Sequence, residues 1–466
     1  MFKEISRNKN ISRGVFFLFL LSVPLGTKKF IYSFTGGTSE FDTIFVFLSD
    51  ILFLFSFYFI GAAFFGSIKN IFQNLSSFLK EKGSMFISLC AFSFFCFISP
   101  LFSSHIFLSA YFFLRLLFTI FQGVFLFFVI RRNIVSITAV VYTFVSAAVF
   151  QAVIGFLQFF FQKSVGLWFL GESIINEFSN NVARFPVFGV PLLRAYGTMA
   201  HANILAGFLV LGLIGCLFLW IRRKPTNSKS FMIFLKERLF FRIIISVSIF
   251  IILVGLVLTF SRSGWIVSLF GIIFSLCIGF LYKDTQGQTF HLLFVMCGLF
   301  VVIFFSLGWA IFPRATLSRD EPSVNYRVLY NNIGRDIVLQ NPLGVGIGNQ
   351  IFFSEENNLY GKYRIYDNID WQPIHNLYLL ITSELGVFGI ISFLYLIFVA
   401  TPVFFKKQLF VFLKSPPYYF WFGVVTLSSL LVFGLFDHFL WTLESGKLML
   451  WLVLGIIMGV SEESSS

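Results

Sequence analysis

Four short segments hold residue types that can do chemistry, and each is pressed against an apolar run. In TFSRSGW, residues 259–265, the connection is too short to lift Arg262 far from the apolar runs on either side. The guanidinium therefore sits near the headgroup depth of a membrane, beside the start of the next helix. There Ser261 or Ser263 can cap the helix, and the positive end of its dipole favours an anion. The plainer reading is an arginine that snorkels to the interface. In NYRVLYNNIGRDIVLQNPLGVGIGNQ, 325–350, Arg327, Tyr330, Ile333 and Ile337 recur at helical spacing and predict an amphipathic helix over 323–340, lying on the membrane. Asn341-Pro342 stops it. The glycines at 344, 346 and 348 follow a helix rather than a strand and lack the lysine of a phosphate-binding loop, so they read as a close-packed turn. In PIHNLYLLITSELGVFG, 373–389, His375 stands at the mouth of an apolar run, where an imidazole of ordinary pKa ~6.5 can take a proton. An interfacial polar residue is the plainer alternative; Pro373 and Asn376 fix where the turn begins. RAYGTMAHANILAGFL, 194–209, sets Arg194, His201 and Asn203 at the entrance of another apolar run.

Deeper charges need partners. Glu384 lies ~13 Å beyond His375 along its helix, and Arg115 and Asp50 reach similar depths on their own runs. Charges there are costly and are paired or functional, and a pair of Arg115 with Glu384 or Asp50 is the structural expectation. Asp320-Glu321, Glu355-Glu356 and Asp367 with Asp370 could hold a divalent cation but show no ligand pattern, and read as solvated loop charge. Cys90, Cys96, Cys216, Cys277 and Cys297 fall inside apolar runs, so neither a disulfide framework nor a metal site is expected.

The elements that position these residues are membrane spans. Of 466 residues 58% are hydrophobic and 12% charged, against about 45–50% and ~25% in soluble domains, which excludes a water-soluble fold. The 72 phenylalanines read as lipid-facing filler rather than an aromatic binding surface. Twelve stretches have the ~20 apolar residues that a helix needs to cross: 14–34, 43–66, 85–103, 106–130, 134–161, 199–221, 241–260, 264–282, 290–312, 375–401, 418–436 and 441–460. The expected fold is an all-α integral membrane protein of about 12 transmembrane helices, with one large external loop bearing the amphipathic helix. Its parts are spans 1–5 over 1–161, an external loop over 162–198, spans 6–9 over 199–312, the large external loop over 313–374, and spans 10–12 with a short tail over 375–466. The basic N-terminal segment followed by an apolar tract and Lys28-Lys29 reads as a retained signal anchor. With both termini cytoplasmic, the net charge of +13 collects on cytoplasmic segments, the basic 222–240 loop among them. That is a positive-inside signal and no nucleic-acid footprint.

Taken together, the segments resemble the O-antigen ligase and polymerase superfamily of bacterial envelope glycosyltransferases. The resemblance runs from about 190 to 390, with a weaker echo from Asp437 to Gly455. It rests on RAYGTMAHAN before the sixth span, T-x-S-R-x-G at 259–264, an arginine opening the loop helix that ends in NPLGVGIGN, and H-N-L-Y at 375–378 followed by S-E-L-G-x-x-G at 383–389. Where the family often has tryptophan three residues after the loop arginine, this chain has Tyr330. The resemblance implies transfer of a glycan from a polyprenyl diphosphate to a glycan, lipid or protein acceptor on the outer face of the plasma (inner) membrane, without nucleotide sugar, metal or other cofactor. It implies that Arg262 and Arg327 bind the diphosphate, on one cavity wall, and that His375 is the base acting on the acceptor hydroxyl. Arg194, Asn203, Tyr330, Asn376 and Glu384 are candidate supporting residues. Ligase and polymerase share these motifs. The alternatives of other classes are a lipid or solute transporter, which Arg115, Asp50 and Glu384 would serve as coupling charges, and an envelope-assembly scaffold.

Overall fold

The computed structural model describes residues 8–34, 36, 40–65, 69–70, 73, 83–176, 182–222, 231–316, 322–401 and 418–460. Helix α1 (Lys9–Ser22) leads through a hairpin of β1 (Lys28–Ser33) and β2 (Thr43–Phe47) into α2 (Leu48–Ile60), which a π-turn extends to Phe65. Helices α3 (Gly83–Ile98), α4 (Ile106–Arg131) and α5 (Ile137–Phe161) follow, and a second hairpin, β3 (Arg184–Val187) with β4 (Val190–Leu193), precedes α6 (Ala202–Ile221). Next come α7 (Phe231–Leu258), α8 (Arg262–Leu281) and α9 (Lys283–Ala315), then the shorter α10 (Pro322–Gln340), α11 (Gln350–Glu356) and α12 (Leu359–Lys362). After these run α13 (Leu377–Ala400), α14 (Tyr418–Phe433), α15 (Phe439–Thr442) and α16 (Glu444–Val460).

Among the described residues nine helices are long and apolar enough to cross a membrane, and the protein is a multi-pass membrane protein. The nine are α2 to α9 and α13. The first, eleventh and twelfth expected spans appear as shorter helices of 14, 16 and 17 residues. The first expected span shortens because the chain leaves the helix before Pro24 and residues 28–33 pair as a strand with 43–47, which also removes the start of the second span. Two connections are more helical than expected: α7 already begins inside the 222–240 loop, and α9 runs for 33 residues. The pair Asp320-Glu321 lies outside the described residues.

Helix α6 is the axis of the bundle, every one of its residues being buried. Between helices in lipid there is little hydrophobic driving force, so close approach does the work. Gly212 lies against α5 so tightly that a Cβ there would stand 2.2 Å from that of Ala148. A second packing device is ionic. Arg115 of α4 donates to both oxygens of Asp50 on α2 at 2.7 and 2.9 Å and to Glu444 of α16 at 2.9 Å, and Lys447 adds a 3.3 Å pair to Glu444. The expected partner of Arg115 is therefore Asp50, joined by Glu444; Glu384 instead accepts from Trp441 Nε1 at 2.7 Å.

The amphipathic helix also differs from expectation. Tyr330, Ile333 and Ile337 of α10 are buried, and they pack with Val345, Leu359, Tyr360 and Ile365 into a small core of the loop's own. Its apolar face is covered by protein rather than lipid. The glycine-rich segment after it wedges into a break in α13: Val345 and Gly346 donate to the carbonyls of Ser383 and Glu384, and Val387 donates to that of Pro342. The break is at Gly386, where φ is 73° and ψ −177°. A Cβ on Gly344 would lie 2.4 Å from the Glu384 carbonyl oxygen, which is why the segment reads as a close-packed turn.

Candidate functional site

The chemistry-bearing segments converge on one face of the bundle, where α7, α9 and α14 end and α6, α8 and α13 begin. Their helix starts turn unpaired N–H groups and positive dipole ends toward that face. Ser261 caps α8, its Oγ accepting from Gly264 N at 3.2 Å, so Arg262 is the first helical residue. The turn before it is held by two other arginines. Arg194, just after β4, donates to the Thr259 carbonyl at 2.7 Å, and Arg314, at the end of α9, donates to the Phe260 carbonyl at 2.9 Å. Phe260 itself sits at φ 48°, a left-handed conformation that a bulky residue adopts only where its surroundings enforce it.

From Arg194 a chain of hydrogen bonds crosses to the far side of the site. Its second nitrogen donates to Asn203 Oδ1 at 2.8 Å, and Asn203 Nδ2 donates to Asp437 Oδ2 at 2.7 Å. The other oxygen of Asp437 accepts from the backbone N–H groups of His438 and Phe439. Burial alone would raise the Asp437 carboxyl, but His438, His375, Arg327 and His201 around it hold it well below the usual carboxylate range. Burial and the charge of Arg194 push His201 down to about 3, in keeping with its Nδ1 accepting from Asn203 N. Burial and neighbouring His375 likewise push His438 down to about 3. Arg194, drawn down to about 10 by burial and by nearby Arg314, keeps its charge at neutral pH.

His375 lies at the centre. Its Nδ1 stands 2.9 Å from the Pro373 carbonyl, which can only accept, so Nδ1 carries the proton and Nε2 of the neutral ring keeps its lone pair. Burial lowers its pKa and Arg327 lowers it further, against the opposing pull of Asp437. The ring stacks on Tyr330 at a centroid distance of 5.1 Å and meets the edge of His438 at 4.8 Å. Arg327, one turn before Tyr330 on α10, makes no hydrogen bond or ion pair among the described residues.

Of the residues singled out from sequence, the structure gathers Arg194, Asn203, Arg327, Tyr330 and His375 in one electrostatic neighbourhood, with Arg262 opening the helix after the clamped turn. Two stand apart. Asn376 spends its polar atoms as the cap of α13, Oδ1 accepting from Leu379 N at 3.0 Å. Glu384 faces a separate cavity of about 30 Å³, which it shares with Gln350, Trp441, Thr442 and Lys447. Sequence reasoning missed Arg314, Asp437 and His438 as members of the site. The signal for the last two was there, an acid and an imidazole in a short gap between two apolar runs. Among the described residues no group of three or more His, Cys, Asp or Glu is arranged to hold a metal ion.

Fold and site together define a multi-pass membrane protein that gathers arginines and histidines where its helices end on one face. Residues 247–394, about a third of the chain, match the family model described as O-antigen ligase, a family that ligases and polymerases share. The match runs from α7 into α13 and takes in Arg262, Arg327 and His375, while Arg194, Asn203 and Asp437 lie beyond it. No curated protein matches the chain.

Proposed function

We propose that this protein transfers a glycan from a polyprenyl (undecaprenyl) diphosphate to an acceptor hydroxyl at the outer face of the plasma membrane, in the manner of an O-antigen ligase. The observation that carries the reading is the state of His375: a neutral imidazole with Nδ1–H fixed on a carbonyl, its Nε2 lone pair available beside the uncommitted guanidinium of Arg327. A glycosyl diphosphate already contains a good leaving group, so the help it lacks is on the nucleophile. The acceptor oxygen forms its bond to the sugar carbon as the bond from that carbon to the diphosphate oxygen breaks. The hydroxyl proton passes to His375 Nε2, a contribution of about 10²–10⁴-fold for general-base catalysis. The departing diphosphate takes the electron pair, and Arg262 and Arg327 meet the charge with planar donor forks that match phosphate oxygens. Asp437 sits where it can stabilise the imidazolium that forms. In this reading no metal or nucleotide sugar takes part.

The topology that goes with it has both termini in the cytoplasm, twelve crossings that include the short α1, α14 and α16, and the segments 162–198 and 313–374 outside. Basic residues at the opposite ends of the helices, such as Arg131, Arg132 and Arg222, support that orientation. The test is transfer by the purified protein in lipid nanodiscs, with a polyprenyl-diphosphate-linked glycan and candidate acceptors. His375→Ala is expected to lose at least about 10²-fold in turnover while still binding donor; transfer at the parent rate would overturn the reading. Acceptor choice in the same assay separates a ligase from a polymerase.

A further inference from the structure

The base proposed above is built into a pile of rings. Tyr326 stacks on Tyr330 at 5.9 Å and Tyr330 stacks on His375 at 5.1 Å, with interplanar angles of 21° and 16°. His375 then meets His438 edge-on, and His438 meets Phe41, which comes from the connection between β1 and β2. The segment leading into His375 is tied to α10 by two tyrosine hydroxyls and to α12 by a third. Tyr330 Oη donates to the Asp370 carbonyl at 2.6 Å and Tyr326 Oη to the Asp370 carboxylate at 2.8 Å, while Tyr360 Oη donates to the Gln372 carbonyl at 3.0 Å. Tyr330 is 4% exposed, so its ring is committed to this role.

Helix α10 therefore presents two functional residues one turn apart on one face, Arg327 toward the diphosphate and Tyr330 against the base. Resting on the assignment of His375 as base, we propose that Tyr330 is the positioning residue for His375. The aromatic face is the working part. It fixes the imidazole plane that Pro373 leaves free to rock about one hydrogen bond, and it keeps water off the ring. The groups facing His375 are Arg327 and Tyr330 on α10, His201 just before α6, Asp437 and His438 between α14 and α15, and the Pro373 carbonyl on its own segment.

The test compares Tyr330→Phe, Tyr330→Trp and Tyr330→Ala in the nanodisc assay. Phe and Trp keep a ring face and lose the hydroxyl bond to Asp370; they are expected within about fivefold of the parent kcat. Ala removes the face, and misplacement of a catalytic group costs on the order of 10²-fold in kcat, with the donor KM changed less than about threefold. Its pH profile carries the diagnostic sign. His375 works as the neutral ring, so activity is lost as pH falls through its pKa, and burial holds that pKa below the ordinary value. Uncovering the ring moves the acid limb of kcat to higher pH in Tyr330→Ala and leaves it in place in Tyr330→Phe. Polyprenyl diphosphate binding by each purified variant reports whether the loop has folded. An unchanged kcat and acid limb in Tyr330→Ala would overturn the positioning role, as would a Tyr330→Phe variant as slow as Tyr330→Ala. If His375→Ala itself transfers at the parent rate, it is the function proposed above that fails.

Discussion

Two groups of charges lie within the protein, and they are put together by opposite rules. Around Arg115, two cations meet two carboxylates at 2.7 to 3.3 Å, and Asp50, Glu444 and Lys447 are each at most 6% exposed. At the helix ends, Arg194 binds a neutral carbonyl, an amide takes its second hand, and Asp437 is the carboxylate it reaches through Asn203. Desolvating a charge is expensive, and pairing it with its opposite inside the protein recovers most of the cost while cancelling its field. Binding a cation to carbonyl dipoles recovers part of the cost and leaves the field in place. The first group therefore ties α2, α4 and α16 together. The second retains positive potential that a diphosphate can meet.

The largest expected effect tests the tying role. Arg115→Ala leaves Asp50 and Glu444 facing Lys447 alone, and breaking a buried pair from one side costs about 3–5 kcal/mol. A large drop in yield and in unfolding midpoint in detergent is expected, while the molecules that do fold bind donor normally. Full stability with lost transfer would move this network into the site and erase the contrast.

Next in size is the outer group. Arg262→Lys and Arg327→Lys keep the charge and lose the fork, and each is expected to cut turnover by about 10²–10³-fold, the usual cost of one donor at a developing anion. Unfolding midpoints should stay close to the parent's, because lysine keeps the charge and most of the aliphatic stem at each position. A fully active double Lys variant would show that charge alone suffices and that the diphosphate assignment is wrong.

How far the sequence could go follows from the same contrast. Local pattern made the apolar helices legible, along with the loop helix over 323–340 and the capping serine before Arg262, since each depends on neighbours in sequence. The pairing of residues 28–33 with 43–47 was hidden because 43–47 runs straight into the apolar span behind it, and period-2 pairing leaves no mark in a continuous apolar run. Arg327, Tyr330 and His375 could be picked out singly. Their stacking, and the relay from Arg194 through Asn203 to Asp437, bring together residues from 194 to 437 that only the bundle joins. Glu384 and Arg115 looked like partners by depth, and side-chain direction assigned them to different neighbours.

A smaller effect sharpens the electrostatic half of the comparison. Since burial and Arg327 hold the His375 pKa down while Asp437 pulls it up, the acid limb of kcat is expected below the ordinary imidazole value of ~6.5. Asp437→Asn removes the upward pull, so the limb should move to still lower pH even as the rate at neutral pH falls. A limb that moves up would show that Asp437 acts on His375 in some way other than through its charge.

The smallest effect concerns a residue that borders the site and belongs to the frame. Asn376 follows His375 directly, yet its Oδ1 accepts from Leu379 N and its Nδ2 donates to the Leu435 carbonyl at 3.3 Å, both of them helix-end groups. Removing such a cap costs about 1 kcal/mol, so Asn376→Ala should lower the unfolding midpoint slightly and slow transfer less than about tenfold, through a looser start to α13. Serine restores the cap without the amide. Asn376→Ser should therefore recover both the midpoint and the rate, with the acid limb unmoved throughout. If serine restores the midpoint and the rate stays low, the amide reaches the substrate, and the boundary between frame and site must be drawn one residue further along the chain.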